Sequence, residues 1–490
     1  MLHYLRWCPP THTTNNGINC LHSNTLGFNK GIFMLDSKLD NHAFGTEMAG
    51  LVSPARPIQS IEYLHGRAKE LERINRALFA PGRHIFIYGD RGIGKSSLAA
   101  AAAAQVQSAD SPYIDVSCST DSTFRSVIAN IGSQAVRLSR IYKTKRTLSA
   151  GLELRFLRAN ASEEVSENDL YDVIRTVGDA VELLREVASV HSDRPVVVLD
   201  EFDRMVDERE RGLFSDLVKQ LGDKKINVTF FFTGVAPTLD QLLGSHPSAI
   251  RQFETIELQK LSWTARWDIT VNALARFGVE IEDNIRVRIA AVSDGYPAYV
   301  HLITEKLLWR LWDDPAVVKN VDWEHYNGAI QDAILSVNAE LKRPYEQAVN
   351  QRTEDFEEVL WAAADSEYLD RDLRQIFSSY NYVIKQRPGR TAMEYKQFAA
   401  TLNKLKTKSC GEIIVASRFD RRGWVAYRES MLRGYARMRA EARNIKLVGE
   451  QEAPRQVMHA PGGGGRSFGP SIPKGVHTGR IRTPEEDTGD

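Results

Sequence analysis

The stretch HIFIYGDRGIGKSSLAAAAAAQ, residues 84–105, constrains the fold of this chain more than any other. Its first five residues are an apolar run too short for a helix and the right length for a buried strand. Gly89, Gly92 and Gly94 interrupt it, and an alanine-dense segment follows that is strongly helix-forming. Gly89, Gly94, Lys95 and Ser96 satisfy the spacing G-x-x-x-x-G-K-[ST]. Glycines there permit backbone angles that turn successive N–H groups inward, so residues Gly89, Asp90, Arg91, Gly92, Ile93, Gly94, Lys95, Ser96 and Ser97 form a candidate cradle for a β-phosphate. The positive end of the following helix points at the same anion. In this reading Lys95 pairs with the β/γ oxygens and Ser96 ligates Mg²⁺. A chance glycine turn is the bland alternative, but the strand before and the helix after are what the phosphate-binding mechanism requires. ATP and Mg²⁺ are the ligands expected.

A phosphate cradle needs acidic groups at the end of a neighbouring strand. PVVVLDEFDR supplies them: Asp200 to hold the Mg²⁺ shell and Glu201 to polarise the attacking water. Two acids could instead mark only a strand reaching a polar loop. NVTFFFTG reads as another buried strand, and its Thr233 is placed either to sense the γ-phosphate or merely to cap the strand.

At 490 residues the chain exceeds one ordinary core, and the pattern divides it. Residues 1–52 are rich in Asn, Thr, His and Gly without sustained periodicity, and are expected to be poorly ordered. Cys8, His12, Cys20 and His22 carry zinc-ligand atoms, at spacings that fit no common zinc module. Residues 53–260 alternate amphipathic helices with continuous apolar strands (HIFIY, YIDVSC, PVVVLD, NVTFFFTG, FETIELQ). That alternation indicates an α/β unit with a parallel sheet covered on both faces. A single amphipathic helix is expected over DLYDVIRTVGDAVELLREVAS. Residues 261–335 read as a small helical unit, 336–445 as several helices closed by two short strands, and 446–490 as a disordered Gly- and Pro-rich tail.

HGRAKEL before the first helix, the glycine loop, VVVLDE, FFFTG and HPSAIRQFETIEL together resemble AAA+ P-loop ATPases of the origin-recognition-like and STAND-like group, over roughly residues 55–335. The resemblance implies a P-loop ATPase core with a helical lid. It puts His65, Gly66 and Arg67 on the adenine side, and Arg251 in the place of an arginine finger acting on a neighbouring subunit in a homo-oligomer. SDGYPAYVHLITEKL looks like a G-x-P lid motif, with Gly295 and Pro297 in place. No arginine stands at that helix start, where many relatives carry one, and this departure favours a slow switch over a processive motor.

The C-terminal order of helix, helix, basic helix and two strands is that of a winged helix, which origin-recognition-type ATPases often carry. Between Lys385 and Arg443 fifteen Lys/Arg face five Asp/Glu, in a chain whose net charge is zero. A third helix in the major groove would use Lys396, Lys404, Lys406 and Lys408, while Arg418, Arg421 and Arg422 on the wing would touch phosphates. MLRGYARMRAEAR is expected as a further exposed basic helix. Double-stranded DNA is the partner this favours; a protein partner, such as an effector engaged by a signalling or defence ATPase, is the alternative. Cys8, Cys20, Cys118 and Cys410 are too few and scattered for a disulfide framework, so a cytoplasmic setting is expected. No apolar run of about 18 residues suggests a membrane span.

Overall fold

The computed structural model describes residues 40–54, 56–58, 60–138, 156–157, 166–235, 250–417 and 423–447. The chain enters through helix α1, Asn41–Leu51, at the end of the stretch in which no regular structure was expected. Asp40 caps it by accepting from the Ala43 N–H, and Phe44 fastens it. The Phe44 ring is wholly buried, stacked on Trp312 at 4.3 Å and tilted against Phe277. Sequence period hides this helix because only Phe44, Met48 and Leu51 turn inward. The cysteines and histidines of residues 8–22 lie outside the described residues.

Strands β1 (His84–Tyr88), β2 (Ile114–Ser117), β3 (Val196–Asp200), β4 (Thr229–Gly234) and β5 (Phe253–Glu257) form one parallel sheet in the order β2-β3-β4-β1-β5. Side chains alternate between its faces, as the two-residue period of a strand demands. Ile85, Ile87, Val196, Val198 and Phe231 join one core, while Phe86, Val197, Leu199, Phe230 and Phe232 join the other. Both faces are buried at the central strands β1, β3 and β4, which read as continuous apolar runs, whereas the edge strands β2 and β5 alternate buried and exposed residues.

The covering helices are α2 (Ala68–Leu78), α3 (Lys95–Val106), α4 (Phe124–Leu138), α5 (Glu167–Val173), α6 (Val177–Val190) and α7 (Glu208–Asp223). The one helix expected across α5 and α6 is two. Thr176 and Asp179 form a reciprocal capping box, each side chain bonding the other's backbone N–H, and this starts a new helix at Val177. A parallel five-stranded sheet with a glycine loop between β1 and α3 makes this part an α/β P-loop NTPase fold.

Beyond β5 come α8 (Trp263–Arg276), α9 (Asp283–Val292), α10 (Pro297–Trp312) and α11 (Trp323–Ser336), with β6 (Glu280–Ile281) and β7 (Asn320–Val321) paired between them. The chain continues through α12 (Ala339–Val349), α13 (Glu354–Ala364), β8 (Arg371–Asp372), α14 (Leu373–Lys385), α15 (Tyr395–Lys404), β9 (Ile414–Ala416), β10 (Trp424–Tyr427) and α16 (Ser430–Glu441). Strands β8, β10 and β9 form a small antiparallel sheet. One apolar core runs from the sheet through the helical segment into this last unit, with Ile87, Leu307, Trp361 and Tyr435 all members.

Helix α16 overturns the expectation of an exposed basic helix. Arg433 is 0% and Arg437 4% exposed. Arg433 grips Asp294, at the end of α9, through Nη2 at 2.5 Å and Nε at 2.7 Å. Arg437 donates to the carbonyls of Ala291 at 2.6 Å and Ala364 at 2.9 Å. Gly434 makes the approach possible, since a Cβ there would stand 2.5 Å from the Tyr299 ring. The arginines of this helix therefore serve packing between units.

Candidate nucleotide site

The carboxyl ends of β1, β3 and β4 open into a cavity of about 650 Å³, walled also by α10 and by the junction of β10 with α16. Ligands of open parallel sheets bind at this end, because helix N-termini and loop N–H groups converge there. Gly92 and Gly94 take φ of 75° and 96°, the left-handed region that lets the loop curl its N–H groups toward one point. Lys95 begins α3, and its Nζ donates to the Gly89 carbonyl at 3.1 Å and the Asp90 carbonyl at 2.9 Å. Burial lowers the pKa of Lys95, opposed by the charges of Asp203, Asp200, Asp90 and Glu201.

Opposite the loop, the carboxylate of Asp200 accepts from Ser96 Oγ at 2.8 Å and from the Thr233 hydroxyl. Thr233 Oγ1 in turn accepts the Glu201 N–H at 3.0 Å. Thr233 thus bridges the Asp200 carboxylate and the Glu201 backbone. The oxygen pair of Ser96 and Asp200 fits Mg²⁺, which takes one or two protein oxygens and completes its shell with phosphates and water. Among the described residues no group of three or more His, Cys, Asp or Glu is arranged to hold a metal. Cys118, close to these acids, is buried and unpaired by disulfide; burial and the charges of Asp200, Asp203 and Glu201 push its thiol up to about 12, leaving it inert.

Of the residues expected at the site, Arg67, Asp90, Arg91, Gly92, Ile93, Gly94, Lys95, Ser96, Ser97, Asp200, Glu201, Thr233 and Pro297 line the cavity together. Arg67 is 4% exposed and donates to the Ile93 carbonyl at 2.9 Å, so it braces the loop from behind. Ser97 Oγ accepts the Ile58 N–H at 3.0 Å, tying Ile58 to the first turn of α3. Gly66 and Gly89 are not among the lining residues. Gly66 instead allows close packing, since a Cβ would lie 2.4 Å from that of Ala265. Arg251 is exposed just before β5 and does not line this cavity.

Sequence reasoning missed the wall supplied from far along the chain. Arg428, Glu429, Ser430 and Met431 line the cavity, and Met431 rides on the loop so closely that a Cβ on Gly92 would stand 2.5 Å from its sulfur. Tyr299 donates to the Met431 carbonyl at 2.7 Å, and Tyr296 donates to Asp90 Oδ2 at 3.0 Å. Both tyrosines sit beside Pro297, so the only local signal was the glycine and proline of that turn. His301, one turn further into α10, is kept neutral: burial and the charge of His65 lower it to about 4.

Part of the cationic charge expected near the C-terminus is paired within the molecule. Arg387 and Arg390 share the buried Glu358, at 3.2 Å and 2.9 Å, Arg428 pairs with Glu412 at 3.1 Å, and Arg439 with Glu357 at 3.1 Å. Helix α15 ends at Lys404, because Lys408–Cys410 turn into a 3-10 helix closed by Gly411 at φ 67°. Lys396 and Lys404 are exposed on α15, whereas Lys406 and Lys408 lie beyond it, and burial lowers the pKa of Lys406. Arg418, Arg421 and Arg422 lie outside the described residues.

Residues 63–231 match the family described as the AAA ATPase domain. No curated protein matches the chain. Solved structures of similar form include the Walker-type ATPase of Pyrococcus abyssi, 14% identical, covering 79% of this chain and 99% of that one at a TM-score of 0.47. Cdc6p of Pyrobaculum aerophilum is 14% identical, with coverage of 81% and 99% and a TM-score of 0.39. The Aeropyrum pernix ORC1 protein, solved in complex with DNA, is 15% identical, with coverage of 78% and 94% and a TM-score of 0.39. Among the described residues no helix is long and apolar enough to cross a membrane.

Proposed function

We propose that this chain is a switch ATPase: it binds Mg²⁺-ATP, hydrolyses it slowly, and reports its nucleotide state through the C-terminal unit. One observation carries the reading. The segment Arg428–Met431 lines the same cavity as the glycine loop, and the helix it opens is tied to α9 by the Arg433–Asp294 pair. A nucleotide in the cavity therefore meets three parts of the molecule at once: the sheet, the lid beginning at Pro297, and the C-terminal unit. A ligand shifts such an arrangement only by contacting one state more favourably than another, and shared walls make that contact direct.

In this reading the loop N–H groups and Lys95 hold the phosphates, and Ser96 and Asp200 would hold Mg²⁺, which supplies charge neutralisation at the phosphates when bound. Glu201 accepts the proton of the attacking water. Thr233 keeps Asp200 and Glu201 in register, so its loss misplaces both. Arg251 would act on the nucleotide of a neighbouring copy, consistent with its exposure away from its own cavity.

The output is duplex DNA, bound by the exposed Lys396 and Lys404 of α15 and by Arg418, Arg421 and Arg422. The order α13, β8, α14, α15, β9, β10 is that of a winged helix and supports this. The burial and pairing of Arg387, Arg433 and Arg437 favours the second reading, a protein partner, because it removes those cations from the surface. Binding of labelled duplex across a salt series, with and without ATP and Mg²⁺, separates the two. ATP-dependent binding that weakens with salt, and weakens further when Arg418, Arg421 and Arg422 become alanine, supports DNA. Absence of binding at low salt rejects it, and capture of a protein by the Glu201→Gln chain loaded with ATP then tests the alternative.

A further inference from the structure

One buried polar group of the cavity has no task in the phosphate chemistry. His301 lines the cavity from α10 and is 3% exposed. Its Nδ1, shut off from solvent, finds no hydrogen-bond partner among the described residues. Buried polar atoms are nearly always bonded, and one left over in the wall of a ligand cavity points to a ligand that completes it. The position of His301 along α10 says which part of a nucleotide that is. Pro297, the first residue of α10, stands against the glycine loop, its Cγ 3.7 Å from where a Cβ on Gly94 would lie. His301 comes one turn later, about 6 Å further along the helix. There the wall is apolar: Leu261 and Ile269 line the cavity and pack with Val300 in a small cluster. The polar neighbour is His65, which also lines the cavity and whose charge acts on His301. An apolar slot with one or two placed polar groups is the usual means of holding and orienting a flat ligand group such as a base.

The chemistry of the imidazole then selects the base. Burial and the charge of His65 keep His301 neutral at ordinary pH. A neutral imidazole carries one N–H donor and one lone pair. A histidine that keeps its proton on Nδ1 gives it to a carbonyl or a carboxylate, and Nδ1 of His301 has neither among the described residues, so the lone pair belongs there. Adenine carries an amino donor at C6, where guanine carries a carbonyl acceptor. Turning the lone pair toward the base takes only a rotation about Cβ–Cγ, a broad torsion in histidine, and no movement of α10.

We propose that His301 is the residue that selects adenine: its lone pair accepts the C6 amino group of the base, and guanine is rejected because its C6 carbonyl would face that lone pair. This rests on the nucleotide-binding reading above and deepens it by naming the group that reads the base. The phosphates are held by the glycine loop and Lys95 whichever base is attached, so His301 governs selectivity and leaves the phosphate end as it is.

The test uses the full chain and measures, by titration calorimetry with Mg²⁺, the binding of ATP, GTP, purine riboside triphosphate (which carries no group at C6) and inorganic tripolyphosphate. The parent should bind ATP about 10-fold tighter than purine riboside triphosphate, the scale of one buried hydrogen bond, and GTP more weakly than either. His301→Phe keeps a ring in the slot without its lone pair. It should weaken ATP about 10-fold and leave purine riboside triphosphate unchanged, so the preference for the amino group disappears. His301→Gln, whose amide oxygen accepts, should keep part of that preference. Tripolyphosphate should bind all three chains alike, which also shows that the variants are folded. Equal weakening of ATP and purine riboside triphosphate in His301→Phe overturns the proposal, since that is the behaviour of a residue that only packs. A parent that prefers GTP, or that treats ATP and purine riboside triphosphate alike, overturns it as well. If the parent binds tripolyphosphate and no nucleotide, the base slot is misplaced; if it binds none of the four, the nucleotide reading itself fails and base selection fails with it.

Discussion

Two carboxylates, Asp200 and Asp294, sit at the centres of the two polar clusters and are held in opposite ways. Asp200, half-buried at the mouth of the cavity, accepts from the neutral hydroxyls of Ser96 and Thr233. Asp294, 1% exposed, is surrounded by cations: Arg433 at 2.5 Å, Lys260 at 3.0 Å and Arg437 at 3.5 Å. Burial opposes ionisation of Asp294, but these three charges overcome it and hold the carboxyl well below its usual range. Neutral donors orient a carboxylate without supplying a counter-charge, so Asp200 is positioned to meet an incoming cation. Cationic donors cancel it, so Asp294 has nothing left to offer a ligand and acts as a latch between α9, α16 and the end of β5. Strongly shifted groups are often taken as pointers to active sites. Here a strong shift belongs to the latch.

That contrast can be broken by experiment, beginning with the largest effect. Glu201→Gln should lower turnover by about 10²- to 10⁴-fold, the range for loss of a general base, while ATP binding and thermal stability stay as they are. A parallel loss of stability would mean that the cavity acids are structural too. Asp294→Ala should destabilise the fold by about 3–5 kcal/mol, because it leaves Arg433 buried without its counter-ion. Urea unfolding measures this, and Asp200→Ala in the same assay should cost only about 1 kcal/mol, the scale of hydroxyl hydrogen bonds. Similar costs for the two would erase the distinction drawn above.

Lys95→Ala should weaken ATP binding about 100-fold, the scale of lost charge-assisted hydrogen bonds, and equal affinity in parent and variant would reject the nucleotide site. The latch also predicts a pH dependence. Burial, reinforced by Arg433 and opposed by Asp294, lowers Lys260 from its ordinary 10.5 to about 7. Between these values the unfolded chain binds more protons than the folded one, so stability rises with pH across roughly 7 to 10.5, by up to about 1.4 kcal/mol per pH unit. Below pH 7 this contribution flattens. Lys260→Met should remove the slope, and an unchanged slope would place its origin elsewhere. Smallest of all, Lys396→Ala or Lys404→Ala should each reduce the salt dependence of duplex binding by about one phosphate contact, without changing sequence preference.

The nucleotide loop and the two acids were legible because their signals are local. A run of nine residues sets the loop conformation, and Asp200 and Glu201 follow directly from an apolar strand that must end in a polar turn. Thr233 was legible only as a position; its bonds to Asp200 and to the Glu201 N–H depend on β4 lying beside β3, which the sheet order decides. Arg67 was expected on the adenine side, and its bond to the Ile93 carbonyl is a contact that no periodicity encodes. The basic C-terminal stretch misled because a count of charges is blind to pairing. Arg433 and Arg437 look like surface cations in MLRGYARMRAEAR, yet Ala436 and Ala440 on the same helix are small enough to bring it down onto its neighbours.

By itself, then, the sequence determined the strand–loop–helix unit, its anion-binding chemistry and the acids that face it. These depend on backbone conformation and on residue types within a few positions of one another, and short-range sterics dictate both. Only the tertiary structure decided that Arg428–Met431 walls the cavity and that Asp294 rather than solvent receives Arg433. Each joins residues more than a hundred positions apart, brought together by one continuous apolar core that fills without regard to which charged groups it carries along.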